Sequence, residues 1–224
     1  MRVRMRIHRL GILVLLLEAC ARPDARTPAI DADSVRDFSG EQGRSGWTYG
    51  YWDSGEDADG RYAQAEDFRP LDAFGGEPSN GLGTHDGFTT GDLWTLATPE
   101  GRSYYTSVWA SGGHPHGEPA LAAVGGGEEH WAIRRWTSPS AGVVDVSGHY
   151  GRTMPWGTNW RGTVRVRVVA DGRTVLDTEA ADEREVYAFA LEVSEGTLVD
   201  FMVGPDTEGR MGVTDFTAAI RSSL

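Results

Sequence analysis

Two histidines two residues apart, His114 and His116 in His114-Pro115-His116-Gly117-Glu118, are the pair in this chain best spaced for chemistry. On an extended backbone, side chains at i and i+2 project to one side, as two ligands of one metal ion must. His85, His130 or His149 would supply a third ligand, and a metal-assisted reaction on a polysaccharide is one reading of such a centre. A histidine-proline turn with no metal is the other. A second candidate lies in the acidic stretch from Asp53 to Glu66, where Asp57, Asp59 and Glu66 with Gly60 partly match the spacing of a calcium loop. Glycine stands at the first ligand position, Gly55, so structural calcium competes here with a solvated acidic turn. The third candidate is the glycine-rich stretch 151–162, which carries Trp156 and Trp160 beside Pro155, Gly157 and Asn159. Tryptophan on a loop points to recognition, since an indole face complements the C–H face of a sugar ring while polar neighbours bond its hydroxyls. Asn159 and Arg152 are placed to be those neighbours.

Other chemistries are excluded by composition. All 21 basic residues are arginine, so no lysine can act as base or nucleophile, and Cys20 is the single cysteine. No Gly-x-Ser-x-Gly elbow is present. The eight tryptophans and seven tyrosines divide between the loop pair and residues such as Trp47, Tyr49 and Trp136, whose alternating surroundings assign them to a core.

The elements that must position these residues are strands. From Trp131 to Ile220, seven short runs of β-forming residues follow one another at 132–136, 143–150, 163–170, 173–180, 184–193, 197–203 and 213–220. Val164, Val166 and Val168 alternate with Arg165 and Arg167, the signature of a strand with one buried face. Asp171-Gly172 between two such runs predicts a two-residue hairpin with positive φ at both positions. Trp47 to Trp52, Leu93 to Leu96 and Tyr104 to Trp109 add further strands, and no helical periodicity interrupts them. The fold class expected is all-β, a single antiparallel jelly-roll-like β-sandwich.

The first residues predict an address. Arg2, Arg4, Arg6 and Arg9 precede an apolar run from Leu10 to Leu17, too short to remain in a bilayer as a spanning helix. Leu17-Glu18-Ala19-Cys20 resembles the bacterial lipobox, in which the cysteine becomes the lipidated first residue, although Glu18 departs from its pattern. The division expected is a lipoprotein signal peptide over 1–19, a flexible stalk over 20–37 rich in Ala, Pro, Asp and Arg, and the β-sandwich over 38–224. Loss of residues 1–19 removes four arginines and one glutamate and moves the formal charge from −12 to −15. So acidic a chain is a poor partner for nucleic acid. The expected location is the cell envelope, lipid-anchored through Cys20 and facing the periplasm or the exterior.

A set of short motifs carries a resemblance. Phe38-Ser39, Gln42-Gly43, Trp47-Thr48-Tyr49-Gly50-Tyr51, His114-Pro115, Arg134-Arg135-Trp136-Thr137-Ser138-Pro139, Gly142, Ser147-Gly148 and Asp215 occur here in this order. The chain thereby resembles a type of secreted bacterial β-sandwich domain similar in pattern to jelly-roll carbohydrate-binding modules. The resemblance implies the sandwich over about residues 38 to 221 and a glycan or envelope polymer as partner, and it implies no particular reaction. Trp160-Arg161-Gly162-Thr163 stands where relatives carry an acidic-Gly-Val sequence, so the resemblance does not carry a loop contact of theirs over to this chain. The expectation is a non-catalytic glycan-binding lipoprotein using Arg152, Trp156, Asn159 and Trp160, with possible calcium at Asp57, Asp59 and Glu66. The competing expectation is the enzyme centred on His114 and His116.

Overall fold

A computed structural model describes residues 29–75, 92–96, 106–117, 129–152, 163–181, 183–205 and 212–223. Fourteen strands are present among the described residues, and their only helix is a three-residue 3-10 turn at Arg44–Gly46. The strands are β1 (Asp31–Asp33), β2 (Trp47–Asp53), β3 (Arg69–Pro70), β4 (Ala73–Phe74), β5 (Leu93–Thr95), β6 (Ser107–Trp109), β7 (Gly112–His114), β8 (His130–Thr137), β9 (Gly142–Arg152), β10 (Val164–Ala170), β11 (Arg173–Ala180), β12 (Glu185–Val193), β13 (Leu198–Gly204) and β14 (Thr214–Ser222). All seven runs read between 131 and 220 are strands, and the 171–172 hairpin has the expected backbone, φ 47° at Asp171 and 73° at Gly172.

One sheet runs β12-β9-β14-β7-β6-β5-β4, with β1 also on β14, and the other runs β11-β10-β13-β8-β2-β3. From β7 to β14 the chain crosses between them at every connection except the β10–β11 hairpin, so that β7-β14-β9-β12 faces β8-β13-β10-β11, the interleaved order of a jelly roll. Every pairing is antiparallel. The inner faces close one apolar core from Val164, Val166 and Val168 of β10, Val199, Phe201 and Val203 of β13, Val144 and Val146 of β9, Phe216, Ala218 and Ile220 of β14, and Trp47, Tyr49 and Trp136. Those last three are core, as their alternation predicts.

Two boundaries differ from expectation. The folded body begins before residue 38: Ile30 and Ala32 are buried, and Asp31–Asp33 adds to the β14 edge in register Asp31↔Arg221. Residues 30–33, expected in the stalk, therefore belong to the folded body. Alternation in so short a run, Ile30 and Ala32 in with Asp31 and Asp33 out, was hidden by its acidic and proline-rich surroundings. Second, the outer face of the β8–β13 sheet is not open to water. Trp52, Trp131, Ile133, Val169 and Met202 on that face pack with Tyr62 and Phe68 from the connection between β2 and β3.

This covering segment is bonded down by a buried polar set. Arg135 donates to Asp200 Oδ1 at 2.7 Å and Oδ2 at 2.8 Å and to the Gln64 carbonyl at 2.7 Å, and Tyr62 donates to Asp200 Oδ2 at 2.6 Å. Arg135 also lies 3.8 Å above the Phe68 ring. The Gln64 amide nitrogen donates to the Val169 carbonyl and to Asp200, and its oxygen accepts from the Gly172 amide, so one side chain ties the cover to the 171–172 hairpin. Gln64→Ala strips a partner from the buried Asp200 carboxylate and Val169 carbonyl as well as from the Gly172 amide, and is expected to lower the unfolding free energy by about 1 to 3 kcal/mol. Urea denaturation of the variant checks this, and an unchanged midpoint would refute it.

Candidate functional site

The two ends of the sandwich are unlike, and the difference comes from connection length. At one end the chain reverses in four residues at 138–141, two at 171–172 and four at 194–197. At the other end lie the final residues of β2, β5, β7, β9, β11 and β13 and the first residues of β6, β8, β10, β12 and β14. The strand ends flanking 96–106, 115–129, 153–163 and 205–213 all meet there. Chemistry-bearing residues gather at the same end: Asp53 closes β2, His114 closes β7, His130 opens β8 and Arg152 closes β9.

His116 forms an isolated bridge with His130, its amide donating to the His130 carbonyl at 3.0 Å while the His130 amide donates to the His116 carbonyl at 2.7 Å. This bridge joins the continuation of β7, in one sheet, to β8 in the other. The two rings lie 5.5 Å apart between centroids. His130 Nδ1 shares a 2.8 Å hydrogen bond with the Thr106 hydroxyl, while its Nε2 lies 3.7 Å from Asp53 Oδ2. Arg69 stands 3.8 Å from the same oxygen, and the Tyr51 ring is 5.0 Å from that of His130. His114 Nδ1 is 2.5 Å from the Pro115 carbonyl, and because a carbonyl only accepts, that nitrogen carries the proton. His114, His116, His130, Asp53 and Thr106 are all buried.

Burial sets the charge states. The His116 imidazole, stripped of water and beside His130 and His114, is held down to about 4, so it is neutral at pH 7. Burial alone would raise Asp53, but its contacts with His130, the Glu56 amide and Arg69 outweigh that and hold it below the ordinary carboxylate range. The result is a line of Thr106, His130, ionised Asp53 and Arg69 running from the interior outward, with a neutral imidazole alongside. An imidazole oriented by a carboxylate is the arrangement that metal ligands and general bases use. Among the described residues, however, no three His, Cys, Asp or Glu side chains converge as one metal ion requires. Thr106, fully enclosed, is not placed to attack a substrate in this conformation.

The expected candidates are thus distributed as follows. His114 and His116 are at the long-connection end, and His130 is the histidine brought beside His116. His149 lies apart on the outer face of the other sheet, where its Nδ1 is 2.9 Å from the Thr217 hydroxyl and its ring meets Arg184. His85, Cys20, Trp156, Asn159 and Trp160 fall outside the described residues. Arg152 is buried at the end of β9, and its stem lies against the entry to β14: a methyl group built on Gly212 would come within 2.9 Å of Arg152 Cδ and 3.0 Å of Val164 Cγ1. Asp57, Asp59 and Glu66 sit in the covering segment. Asp57 Oδ2 accepts from the Trp52 indole at 3.0 Å and Oδ1 from the Asp59 amide, Asp59 Oδ1 accepts from the Arg61 amide, and the Glu66 amide closes a turn on Ala63. The two aspartates thus hold turns and an indole, and the three carboxylates are not gathered into one ligand set. Asp53 and Thr106 were missed as partners of His130. The Asp53↔His130 pairing emerges only from the β2–β8 register.

No family model matches the chain, and no curated protein matches it in sequence. Among solved structures it is similar to a family 35 carbohydrate binding module from Clostridium thermocellum, at 15% identity over 42% of this chain and 72% of that one, TM-score 0.29. It is similar also to the CBM22-1 xylan-binding domain of Xyn10C from Paenibacillus barcinonensis, at 10% identity over 49% and 81%, TM-score 0.28. A third likeness is to a β-glucosidase from Kluyveromyces marxianus, at 8% identity over 83% of this chain and 18% of that one, TM-score 0.33. These likenesses are partial, and the sandwich architecture is established by the chain's own two sheets.

Proposed function

We propose that this chain is a lipid-anchored, non-catalytic module that binds a glycan or envelope polymer at the long-connection end of its sandwich. The observation that supports it best is the polarity of the fold: the strand ends flanking 153–162, which holds Trp156, Asn159 and Trp160, lie at the end where Asp53, His114, His130 and Arg152 also collect. Tight turns fill the other end. A rigid sandwich with its long connections at one edge is the ordinary way to present recognition residues. In this reading the two indoles stack on pyranose faces and Asn159 bonds the ring hydroxyls, while Arg152, buried at the end of β9, braces the strand end that precedes them. A net charge of −12 for the whole chain favours neutral or cationic polymers over nucleic acid.

A glycan-array screen with product analysis tests it. Retained, unmodified sugars are expected, and Trp156→Ala with Trp160→Ala should abolish retention while leaving the melting temperature nearly unchanged. A large loss of stability would make these tryptophans core and overturn the assignment.

The second reading is a metal-assisted polysaccharide-active enzyme, favoured by the neutral His116 imidazole beside His130 and its Asp53 contact. It requires cleaved sugars in the same screen, and it requires that His114→Ala and His116→Ala abolish the cleavage.

A further inference from the structure

We propose that the anchored domain stands on the bilayer with its tight-turn end toward the membrane and its long-connection end, with the polymer-binding residues, directed away from it. This rests on the reading that Cys20 is acylated, and it adds a direction to that anchor. The carrying observation is where the chain enters the sandwich. The Ile30 amide donates to Ser222 Oγ at 2.7 Å and the Ser222 amide donates back to the Ile30 carbonyl at 2.9 Å. The Ser223 amide in turn donates to the Val143 carbonyl at 2.9 Å. Ile30 is therefore held where β14 ends and β9 begins, beside the 138–141 turn. β1 then runs from that end toward the other, in register Asp31↔Arg221 to Asp33↔Ala219.

Lengths convert this entry point into an orientation. Ten Cα steps separate Cys20 from Ile30, a reach of roughly 35 Å at full extension. β9 alone, at 11 residues, sets the long-connection end roughly 35 Å from the entry point. With the tight-turn end down, the tether stays slack. With the long-connection end down, the ten Cα steps from Cys20 to Ile30 would have to span the whole length of the sandwich at full extension, the arrangement of lowest chain entropy. The membrane-proximal end then bears turns of two to four residues, while the strand ends flanking 153–162 face away from the lipid surface.

The test uses protein extracted from membranes, with mass spectrometry of the Cys20 peptide run first, and then reconstituted into neutral phosphatidylcholine vesicles carrying an acceptor dye on the headgroups. Since acylation blocks the native thiol, a single introduced cysteine takes the donor dye: Glu195→Cys at the tight-turn end or Glu183→Cys at the other, both exposed. Both variants should keep the parent melting curve. Energy transfer to the lipid should be roughly twofold or more higher from position 195 than from 183, given a separation near the strand length. Equal transfer, or more from 183, with Cys20 acylated overturns the orientation and leaves the anchor standing. An unmodified Cys20 overturns both.

Discussion

Replacing Arg134 by methionine is expected to cost about 3 to 5 kcal/mol, a large share of the 5 to 15 kcal/mol that holds a typical domain together. Arg134 is on the inward face of β8, in the sandwich interior, where a charge has no water. Among the described residues no carboxylate hydrogen-bonds to it. Its Nη1 donates to the Phe216 carbonyl at 2.8 Å, and its Nη2 donates to the carbonyls of Trp109 at 2.6 Å, Ala110 at 3.1 Å and Gly112 at 3.4 Å. Burial pushes the guanidinium below arginine's ordinary value, with Tyr49 and Tyr187 opposing, but arginine starts so high that the group stays charged at neutral pH. One side chain of one sheet thus bolts the β6–β7 turn and β14 of the other. A buried ion pair replaced on both sides by apolar groups can leave stability unchanged, because both charges disappear. Here the acceptors are backbone carbonyls, which no substitution at 134 removes, so methionine of similar volume takes from each of them the donor that the guanidinium supplies in the interior. Urea denaturation with the slope held fixed reads the loss. A midpoint equal to the parent's would show that the carbonyls find other donors. Arg134→Lys should recover little, since three donors on one nitrogen cannot reach carbonyls on two strands as a planar fork does.

That result would also say what kind of information the Arg134-Arg135 pair carries. In the sequence it is a repeated basic motif beside Trp136 and invites a functional reading. In the structure Arg134 points into the core and Arg135 out to Asp200, Tyr62 and Gln64, so both are structural. Period two put the neighbouring arginines on opposite faces, and that much was legible. The burial of both faces was not, because the cover over the outer face is an aperiodic segment rich in acids that looks like a solvated loop. Trp131 and Ile133 beside Arg135, and Met202 beside Asp200, were the trace it left: apolar residues on a face that should have met water. The strands themselves were readable wherever alternation ran for six or more residues, as in β10, β12 and β14. It failed for β1, where three residues decide the matter. The candidate site was legible as residue types and as loop content, while its assembly depended on register. Nothing local in the sequence sets Asp53 opposite His130; that follows only once β2 and β8 pair from Trp47↔Trp136 onward.

Acidification from pH 7 to 4 is expected to remove up to about 3 kcal/mol of stability through His116 alone, since its pKa falls from 6.5 to about 4 on folding and each unit is worth about 1.4 kcal/mol. The sign follows from proton binding: between those values the unfolded chain takes up a proton that the folded chain refuses. Stability is therefore fully present above pH 6.5 and is lost as the pH drops through the window to 4. The groups facing this ring are His114 on its own segment and His130 and Asp53 from β8 and β2, and the first two repel a proton on His116 while Asp53 attracts it. Asp53, itself held low, loses its own contribution only as the pH falls through the carboxylate range. His149 is lowered as well, by burial and Arg184, but it is half exposed and water screens most of that effect. Urea midpoints of chelator-treated protein measured every half unit from pH 7.5 to 4 should fall steadily below 6.5. His116→Asn, which cannot titrate, should be less stable at pH 7 yet show a flatter profile across the window, while His149→Gln should leave the slope nearly intact. A parent profile flat from 6.5 to 4 would mean that protonated His116 is accommodated, with the bridge to His130 opening locally instead of resisting the charge.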